Sequence, residues 1–125
     1  MQKTVGSKKS NKRQAGDKYE TLAIEFLTTQ GLKLLERNYQ CKAGEVDLVM
    51  EHTDTIVFVE VRYRQKQQFG GAVMSVTPAK QRKLAMAALH YLQCNKRNDD
   101  PCRFDVVAFG QDERQWLVDA FQSPL

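Results

Sequence analysis

The chain has 125 residues, of which 42% are hydrophobic and 27% are charged. This composition is that of an ordinary globular domain, so it excludes a wholly disordered or fibrous chain, and the length leaves no room for a second large core. No uncharged apolar stretch is long enough to span a bilayer, so we expect no membrane partner. The three cysteines, Cys41, Cys94 and Cys102, lack the spacing of a zinc site. We interpret them as free thiols of a cytoplasmic protein.

The net charge of +4 is distributed unevenly along the chain. Residues 1–14 carry five basic side chains and no acidic one, whereas the rest of the chain has a net charge of −1. Because residues 1–14 are polar throughout, we predict that they form a disordered basic tail, followed by a single domain over residues 15–125. The tail is either a solvated N-terminus or an arm that contacts phosphates.

In chain order, the spacing of apolar residues predicts a helix, three strands, a second helix and two strands. Ala15–Gln30 has helical spacing and stops at Gly31. Thr77 and Pro78 suit the cap and the first position of a second helix, which runs to about Cys94. The predicted strands are Leu32–Tyr39, Glu45–Glu51, Thr55–Tyr63, Arg103–Phe109 and Gln115–Asp119. This order indicates an α/β fold, with a mixed β-sheet core flanked by helices.

A basic stretch lies inside the domain. Between Glu60 and Asp99 there is no acidic residue, and the interval carries eight basic ones: Arg62, Arg64, Lys66, Lys80, Arg82, Lys83, Lys96 and Arg97. Carboxylates beside a basic stretch suit a site that binds a polyanion through a metal ion. A solvated helix face would have the same composition.

The second and third predicted strands form a hairpin if Thr53 and Asp54 are its two-residue link. In that register His52 faces Thr55, and one face of the hairpin is wholly apolar. A slip of one residue would mix polar and apolar side chains, so the hydrophobic pattern supports this register. The apolar face would contain Met50, Val57, Leu48, Val59, Val46 and Val61.

The same register places Asp47 directly opposite Glu60, with Cβ atoms about 4.5–5.5 Å apart. Like charges at this separation repel each other, and apolar neighbours increase the repulsion by partial burial. A shared proton, a cationic side chain such as Arg62 or Lys80, or a divalent cation could neutralise the pair. Carboxylate oxygens suit Mg²⁺ or Mn²⁺, so we expect one of these as a cofactor.

Two helical side chains are expected near the same place. Glu20 lies at the edge of the apolar stripe of the first helix, where it either reaches over the sheet or stays exposed. Lys80 lies on the inward stripe of the second helix, close to the N-terminus, where a positive charge opposes the helix dipole. A carboxylate or a phosphate would explain its position, and a snorkelling lysine is the alternative.

Five segments carry a recognisable pattern in this order: Gly44–Val49, Val57–Arg64, Phe69–Ala72, Val76–Lys80 and Arg103–Val107. Together they resemble the YraN-like family of small bacterial proteins, over nearly all of the chain after the tail. That family is similar to the restriction-endonuclease-like superfamily, whose motif is PD-(D/E)-x-K, near the Holliday-junction resolvases. The resemblance implies a restriction-endonuclease-like core with active-site residues at Glu20, Asp47 and Glu60–Arg62.

The resemblance does not supply a substrate. The carboxylate pair and the basic interval motivate the leading hypothesis, a metal-dependent endonuclease that acts on DNA, and whether that DNA is branched or structured stays open. Asp47, Glu60 and the Val61 carbonyl would bind the metal, and Glu20 would bind it directly or through water. Arg62 stands where the superfamily has lysine, and an arginine can stabilise charge but cannot deprotonate water. Lys80 could replace that lysine.

Nucleic-acid contacts are predicted at Arg62, Arg64, Lys66, Lys80 and Gln81. A resolvase-like enzyme would need a two-fold dimer to cut symmetrically, so a homodimer stays open. Two other functions stay open as well. One is a nucleic-acid-binding module that kept the nuclease fold without cleavage, which Arg62 favours, and the other is a protein-interaction domain. Asp105 is predicted to be a hydrogen-bonded structural aspartate rather than a catalytic one.

Overall fold

The computed structural model describes residues 11–63 and 76–125. Within these residues the chain forms two helices and five strands: α1 Asn11–Thr29, β1 Lys33–Cys41, β2 Gly44–His52, β3 Thr55–Tyr63, α2 Pro78–Cys94, β4 Cys102–Phe109 and β5 Arg114–Phe121. The strands lie in one sheet in the order β1-β2-β3-β4-β5. β3 and β4 are parallel, and every other pair is antiparallel. The predicted α/β fold with a mixed sheet flanked by helices is confirmed.

The ends of the elements differ from the predicted ends by a few residues. α1 begins at Asn11 rather than Ala15, so residues 11–14 of the predicted tail are helical. Lys, Arg and Gln favour helix, and a helix can extend beyond its apolar stripe into solvent. α2 is capped as predicted, because the Thr77 hydroxyl accepts the Lys80 N–H at 3.2 Å and Pro78 follows it. Residues 1–10 and 64–75 lie outside the described residues.

Each face of the sheet is covered by one helix, and the alternation of side chains divides the core into two layers. The layer under α2 contains Val49, Ile56, Phe58, Phe104, Val106, Leu84, Ala88 and Tyr91. The layer under α1 contains Leu48, Met50, Val57, Val59, Val107, Ala23 and Leu27. In the parts of the chain that the structure describes, neither helix combines the length and the apolar character that a membrane crossing requires.

β2 and β3 pair in the predicted register, from His52 opposite Thr55 to Leu48 opposite Val59. Thr53, with φ 57°, takes the left-handed conformation that closes the two-residue turn. One part of the hairpin prediction is wrong, because Val46 packs in the layer under α2, whereas Leu48 belongs to the layer under α1.

Asn38 explains why Val46 changes face. Its φ of 57° lies in the left-handed region, which rotates the chain within β1. Arg37 on one side of it therefore reaches α1, while Tyr39 on the other side packs against the core under α2. Their partners in β2 follow them, since Arg37 pairs with Leu48 and Tyr39 pairs with Val46. The residue between those partners, at the point where β2 changes face, is Asp47.

Asp105 is fully buried in β4 and holds β5 in place. Its Oδ1 accepts the Asp119 N–H at 2.9 Å and Arg103 Nε at 3.0 Å, and its Oδ2 accepts Trp116 Nε1 at 2.9 Å. These contacts lie where the β4–β5 pairing shifts register, between Phe104 and Val106. They agree with the structural role predicted for this aspartate.

Candidate functional site

Asp47 and Glu60 lie together at the end of the β2–β3 ladder. Asp47 is one residue beyond the last backbone pair, and its Oδ2 accepts the Val61 N–H at 2.9 Å. Its carboxyl group also lies close enough to Glu60 for the negative charge of Glu60 to act on it. Glu60 is only 5% exposed. The structure therefore brings together the two acidic side chains that the hairpin register predicts to be neighbours.

The pKa of the Asp47 carboxyl group is raised, which favours its protonated form. Burial and the negative charge of Glu60 raise the pKa of Asp47 from 3.8 to about 8, and the charge of Glu20 adds to this effect. The hydrogen bond from the Val61 N–H acts in the opposite direction, because it favours the ionised carboxylate. A partly buried carboxyl group with a raised pKa is a favourable place for a cation to displace a proton.

Glu60 binds two basic side chains through the same oxygen. Arg62 Nη1 and Lys80 Nζ each lie 3.1 Å from Glu60 Oε2. Arg62 reaches it along β3, since side chains two residues apart share a face, and Lys80 reaches it from the first turn of α2. The structure thus shows one of the three predicted ways to neutralise the acidic pair, which is cationic side chains at Glu60. The raised pKa of Asp47 favours a second way, a proton on that carboxyl group.

Glu20 reaches inward over the sheet and is 8% exposed. Its Oε1 accepts hydrogen bonds from Arg37 Nε and Asn38 Nδ2, both at 3.2 Å. Neither Arg37 nor Asn38 was predicted to belong to the site. The signal that could have indicated them is an asparagine inside a strand, where this residue is unusual and marks an irregular backbone.

The remaining predicted site residues have different surroundings. Gln81 Nε2 donates to the Val76 carbonyl at 3.1 Å, so its amide supports the start of α2. Val61 contributes its N–H to Asp47. Arg64 and Lys66 lie outside the described residues.

The acidic pair is suited to a small divalent cation. Over residues 11–63 and 76–125, no three His, Cys, Asp or Glu side chains are grouped closely enough to hold a metal ion by themselves. Mg²⁺, however, commonly uses one or two carboxylates and takes its other ligands from water and substrate phosphates. Asp47 and Glu60 meet this requirement.

A groove of about 620 Å³ opens beside Lys80. One wall is the start of α2, and the other is the end of the β1–β2 hairpin. Gly44 holds the two walls together, because its backbone packs so tightly against α2 that a Cβ there would lie 3.0 Å from the Lys83 carbonyl oxygen. The polar residues and the cysteine that line the groove are Gln40, Cys41, Glu45, Thr77, Lys80 and Lys83. All three cysteines of the chain are free thiols, as predicted.

Comparison with known proteins identifies relatives of the whole chain. Residues 19–109 match the family described as "Uncharacterised protein family UPF0102". A UPF0102 protein of Nitrosococcus oceani is 48% identical over 120 residues, which cover 92% of this chain and 97% of that protein. A UPF0102 protein of Cupriavidus taiwanensis is 50% identical over 125 residues, 98% of this chain and 95% of that protein. One of Shewanella oneidensis is 52% identical over 106 residues, 85% of this chain and 97% of that protein. The chain therefore belongs to the UPF0102 family, as its resemblance to the YraN-like proteins predicted.

Proposed function

We propose that the protein is a Mg²⁺- or Mn²⁺-dependent endonuclease of the restriction-endonuclease-like type, which hydrolyses phosphodiester bonds in DNA. The observation that carries this proposal is the contact between Asp47 and Glu60, in which burial and mutual repulsion raise the pKa of Asp47 to about 8. Ionising both carboxyl groups at this separation would destabilise the sheet, and the raised pKa of Asp47 is the consequence. A site for a divalent cation would explain why they lie together.

Each residue of the site has a role in this proposal. Asp47, Glu60 and the Val61 carbonyl would hold the metal, with Glu20 acting directly or through water. When bound, the metal would supply an activated water and stabilise charge on the phosphoryl oxygens. The Val61 N–H orients Asp47 by its hydrogen bond of 2.9 Å, and Arg37 and Asn38 orient Glu20.

Arg62 and Lys80 together would replace the lysine that the superfamily usually has at this position. Arg62 stays protonated, so its role is to neutralise charge on the scissile phosphate. Lys80 carries the amine that this position otherwise lacks, and its Nζ lies 3.1 Å from Glu60 Oε2. Both side chains would move from Glu60 to the phosphate when a cation neutralises the carboxylate.

The test is cleavage of labelled linear, flap and four-way-junction DNA in Mg²⁺ or Mn²⁺. Glu60→Gln and Asp47→Asn, purified in parallel, control for contaminating nuclease and keep the shapes of the side chains. We expect cleavage by the wild type alone, and binding of Mn²⁺ in calorimetry that Asp47→Asn weakens by at least about 10-fold. The proposal would be contradicted if all three proteins gave equal amounts of product, or if Asp47→Asn bound Mn²⁺ as tightly as the wild type.

A second candidate is a nucleic-acid-binding module that keeps this fold without cleaving DNA. It is favoured by one observation: Arg62 and Lys80 both bind Glu60 Oε2 at 3.1 Å and neutralise its charge. This module would bind DNA in a salt-dependent manner, and Asp47→Asn would leave the affinity unchanged. The same proteins therefore separate the two candidates when binding is measured beside cleavage.

The cellular setting belongs to the proposal as well. Three free thiols suit the reducing cytoplasm, where DNA is accessible to a small bacterial protein. If the substrate is a four-way junction, paired cuts require two active sites related by a two-fold axis. Sedimentation of the protein with and without a junction would test for that homodimer.

A further inference from the structure

We propose that the groove between α2 and the β1–β2 hairpin binds a single strand of DNA next to the scissile bond, and that Lys83 is one of its phosphate contacts. The choice of ligand rests on the proposed function. The position of the groove, its size and its charges support the inference by separate observations.

The groove is continuous with the carboxylate pair. Lys80 lines it and at the same time contacts Glu60 Oε2 at 3.1 Å, with 42% of the lysine side chain exposed. A strand whose phosphate lies at Lys80 and Glu60 must continue across the adjoining surface. The concave surface that adjoins Lys80 is this groove.

The helix wall of the groove is basic. Lys83 lies three residues after Lys80, so the two side chains are neighbours on α2, with Cβ atoms about 5–6 Å apart. Lys83 is exposed, and among the described residues no carboxylate forms an ion pair with it. Two adjacent lysines, one beside the reaction centre and one farther along, suit successive phosphates of one strand.

The hairpin wall determines which side of the groove a phosphate prefers. Glu45 lies on it, and Gln40 Nε2 holds the Glu45 Oε1 oxygen at 3.4 Å. A carboxylate repels phosphates, so the strand would follow the helix wall. The volume of about 620 Å³ is that of a site for one small ligand, which leaves room for about one or two nucleotides of a single strand.

Cysteine alkylation tests where the strand binds. Cys41 lines the groove, whereas Cys94 and Cys102 are exposed elsewhere and serve as internal controls. The wild-type protein is treated with iodoacetamide in EDTA, with or without a single-stranded DNA of ten nucleotides, and each thiol is followed by mass spectrometry. We expect the DNA to slow alkylation of Cys41 by at least about 5-fold and to leave the other two thiols unchanged. No protection of Cys41, or equal protection of all three, would overturn the inference.

A matched pair of variants tests the role of Lys83. Lys83→Ala and Arg82→Ala remove one positive charge from neighbouring exposed positions of α2, but only Lys83 lines the groove. In EDTA we expect Lys83→Ala to weaken binding of the same DNA by about 5–10-fold and to lower the salt dependence by about one counterion. Arg82→Ala should change the affinity less than about 2-fold, and Glu45→Gln should increase it. Equal losses for Lys83→Ala and Arg82→Ala would contradict the assignment.

These measurements are independent of catalysis, because they contain no metal ion. If they succeed while cleavage is absent, the groove belongs to a binding module and the nuclease proposal fails. If cleavage depends on Glu60 while Cys41 is not protected and Lys83→Ala binds normally, the nuclease proposal stands and the groove assignment fails. The groove assignment also fails if the wild-type protein does not bind single-stranded DNA.

Discussion

Lys80 on α2 and Glu60 on β3 form a salt bridge of 3.1 Å that brings an amine into contact with the buried carboxylate beside Asp47. The two partners differ in exposure, since 42% of the lysine side chain and 6% of the glutamate side chain are accessible. The ammonium group therefore lies at the boundary between the core and the groove. Because the lysine is partly exposed and Arg62 also neutralises Glu60, this salt bridge contributes little to stability, which favours a functional reason for its position.

Replacing Lys80 by methionine should separate function from stability. We expect Lys80→Met to lower the rate of DNA cleavage by about 100-fold or more, because it removes a charge that faces the reacting phosphate. The free energy of unfolding should change by no more than about 1 kcal/mol, since Arg62 still neutralises Glu60 at 3.1 Å. Single-turnover cleavage and urea denaturation measure the two effects.

Two controls sharpen the experiment on Lys80. Arg82→Met removes a charge from the exposed face of α2 and should leave cleavage unchanged. Lys80→Arg keeps the charge but removes an amine that can release a proton. If Lys80→Arg retains full activity, the contribution of Lys80 is electrostatic alone.

Asp47→Asn should stabilise the fold at alkaline pH. Because the folded pKa of Asp47 is raised to about 8 from 3.8, the folded protein binds one proton more than the unfolded chain between these values. The stability linked to this proton is fully present below about pH 4 and is lost as the pH rises through about 8, with a slope of at most about 1.4 kcal/mol per pH unit. Asparagine resembles the protonated aspartate and does not titrate.

Urea denaturation of both proteins at pH 6 and pH 9 measures this difference. The advantage of Asp47→Asn should increase by on the order of 2 kcal/mol between the two pH values, allowing for partial solvent screening of the site. Added Mg²⁺ should reduce the advantage at pH 9, because a cation stabilises the ionised wild-type pair. An advantage that is independent of pH would show that Asp47 ionises normally in the folded protein.

The sequence pattern predicted the hairpin register because a slip of one residue would pair Asp47 with an apolar neighbour and mix the two faces. The structure pairs Leu48 with Val59 as predicted. The same reasoning failed at Val46. Strict alternation of side chains assumes a regular backbone. Asn38 in the neighbouring strand has a left-handed conformation, and Val46 lies on the other face of the sheet from Leu48 beside it.

The candidate site was predictable where the position of a side chain follows from its own helix or strand. Arg62 reaches Glu60 along β3, and the inward position of Lys80 follows from helical spacing around α2. The contacts of Glu20 with Arg37 and Asn38 join residues 17 and 18 positions apart. No local pattern encodes such a contact, because it depends on how α1 crosses the sheet.

Asp105 should be the most sensitive polar residue for stability. Asp105→Asn keeps the shape but turns an NH₂ group toward the N–H groups of Trp116 or Asp119, and it leaves Arg103 without its carboxylate. We expect a loss of about 3–5 kcal/mol in the free energy of unfolding, which is typical when one partner of a buried ion pair is removed. Asp112→Asn, an exposed change in the β4–β5 turn, should stay within about 0.5 kcal/mol. A similar small effect for Asp105→Asn would contradict the structural role.

Asn38 provides a test of the backbone irregularity beside the site. In a regular strand, glycine is less stable than alanine by about 0.5–1 kcal/mol, because it loses more conformational freedom on folding. At Asn38, where φ is 57°, alanine must instead adopt a conformation that costs about 1–2 kcal/mol. Both substitutions remove the hydrogen bond to Glu20, so this loss cancels when they are compared. Asn38→Gly should therefore unfold at a higher urea concentration than Asn38→Ala, the reverse of the order in a regular strand. If alanine is the more stable of the two, β1 is regular at this position, and the change of face between Leu48 and Val46 needs another cause.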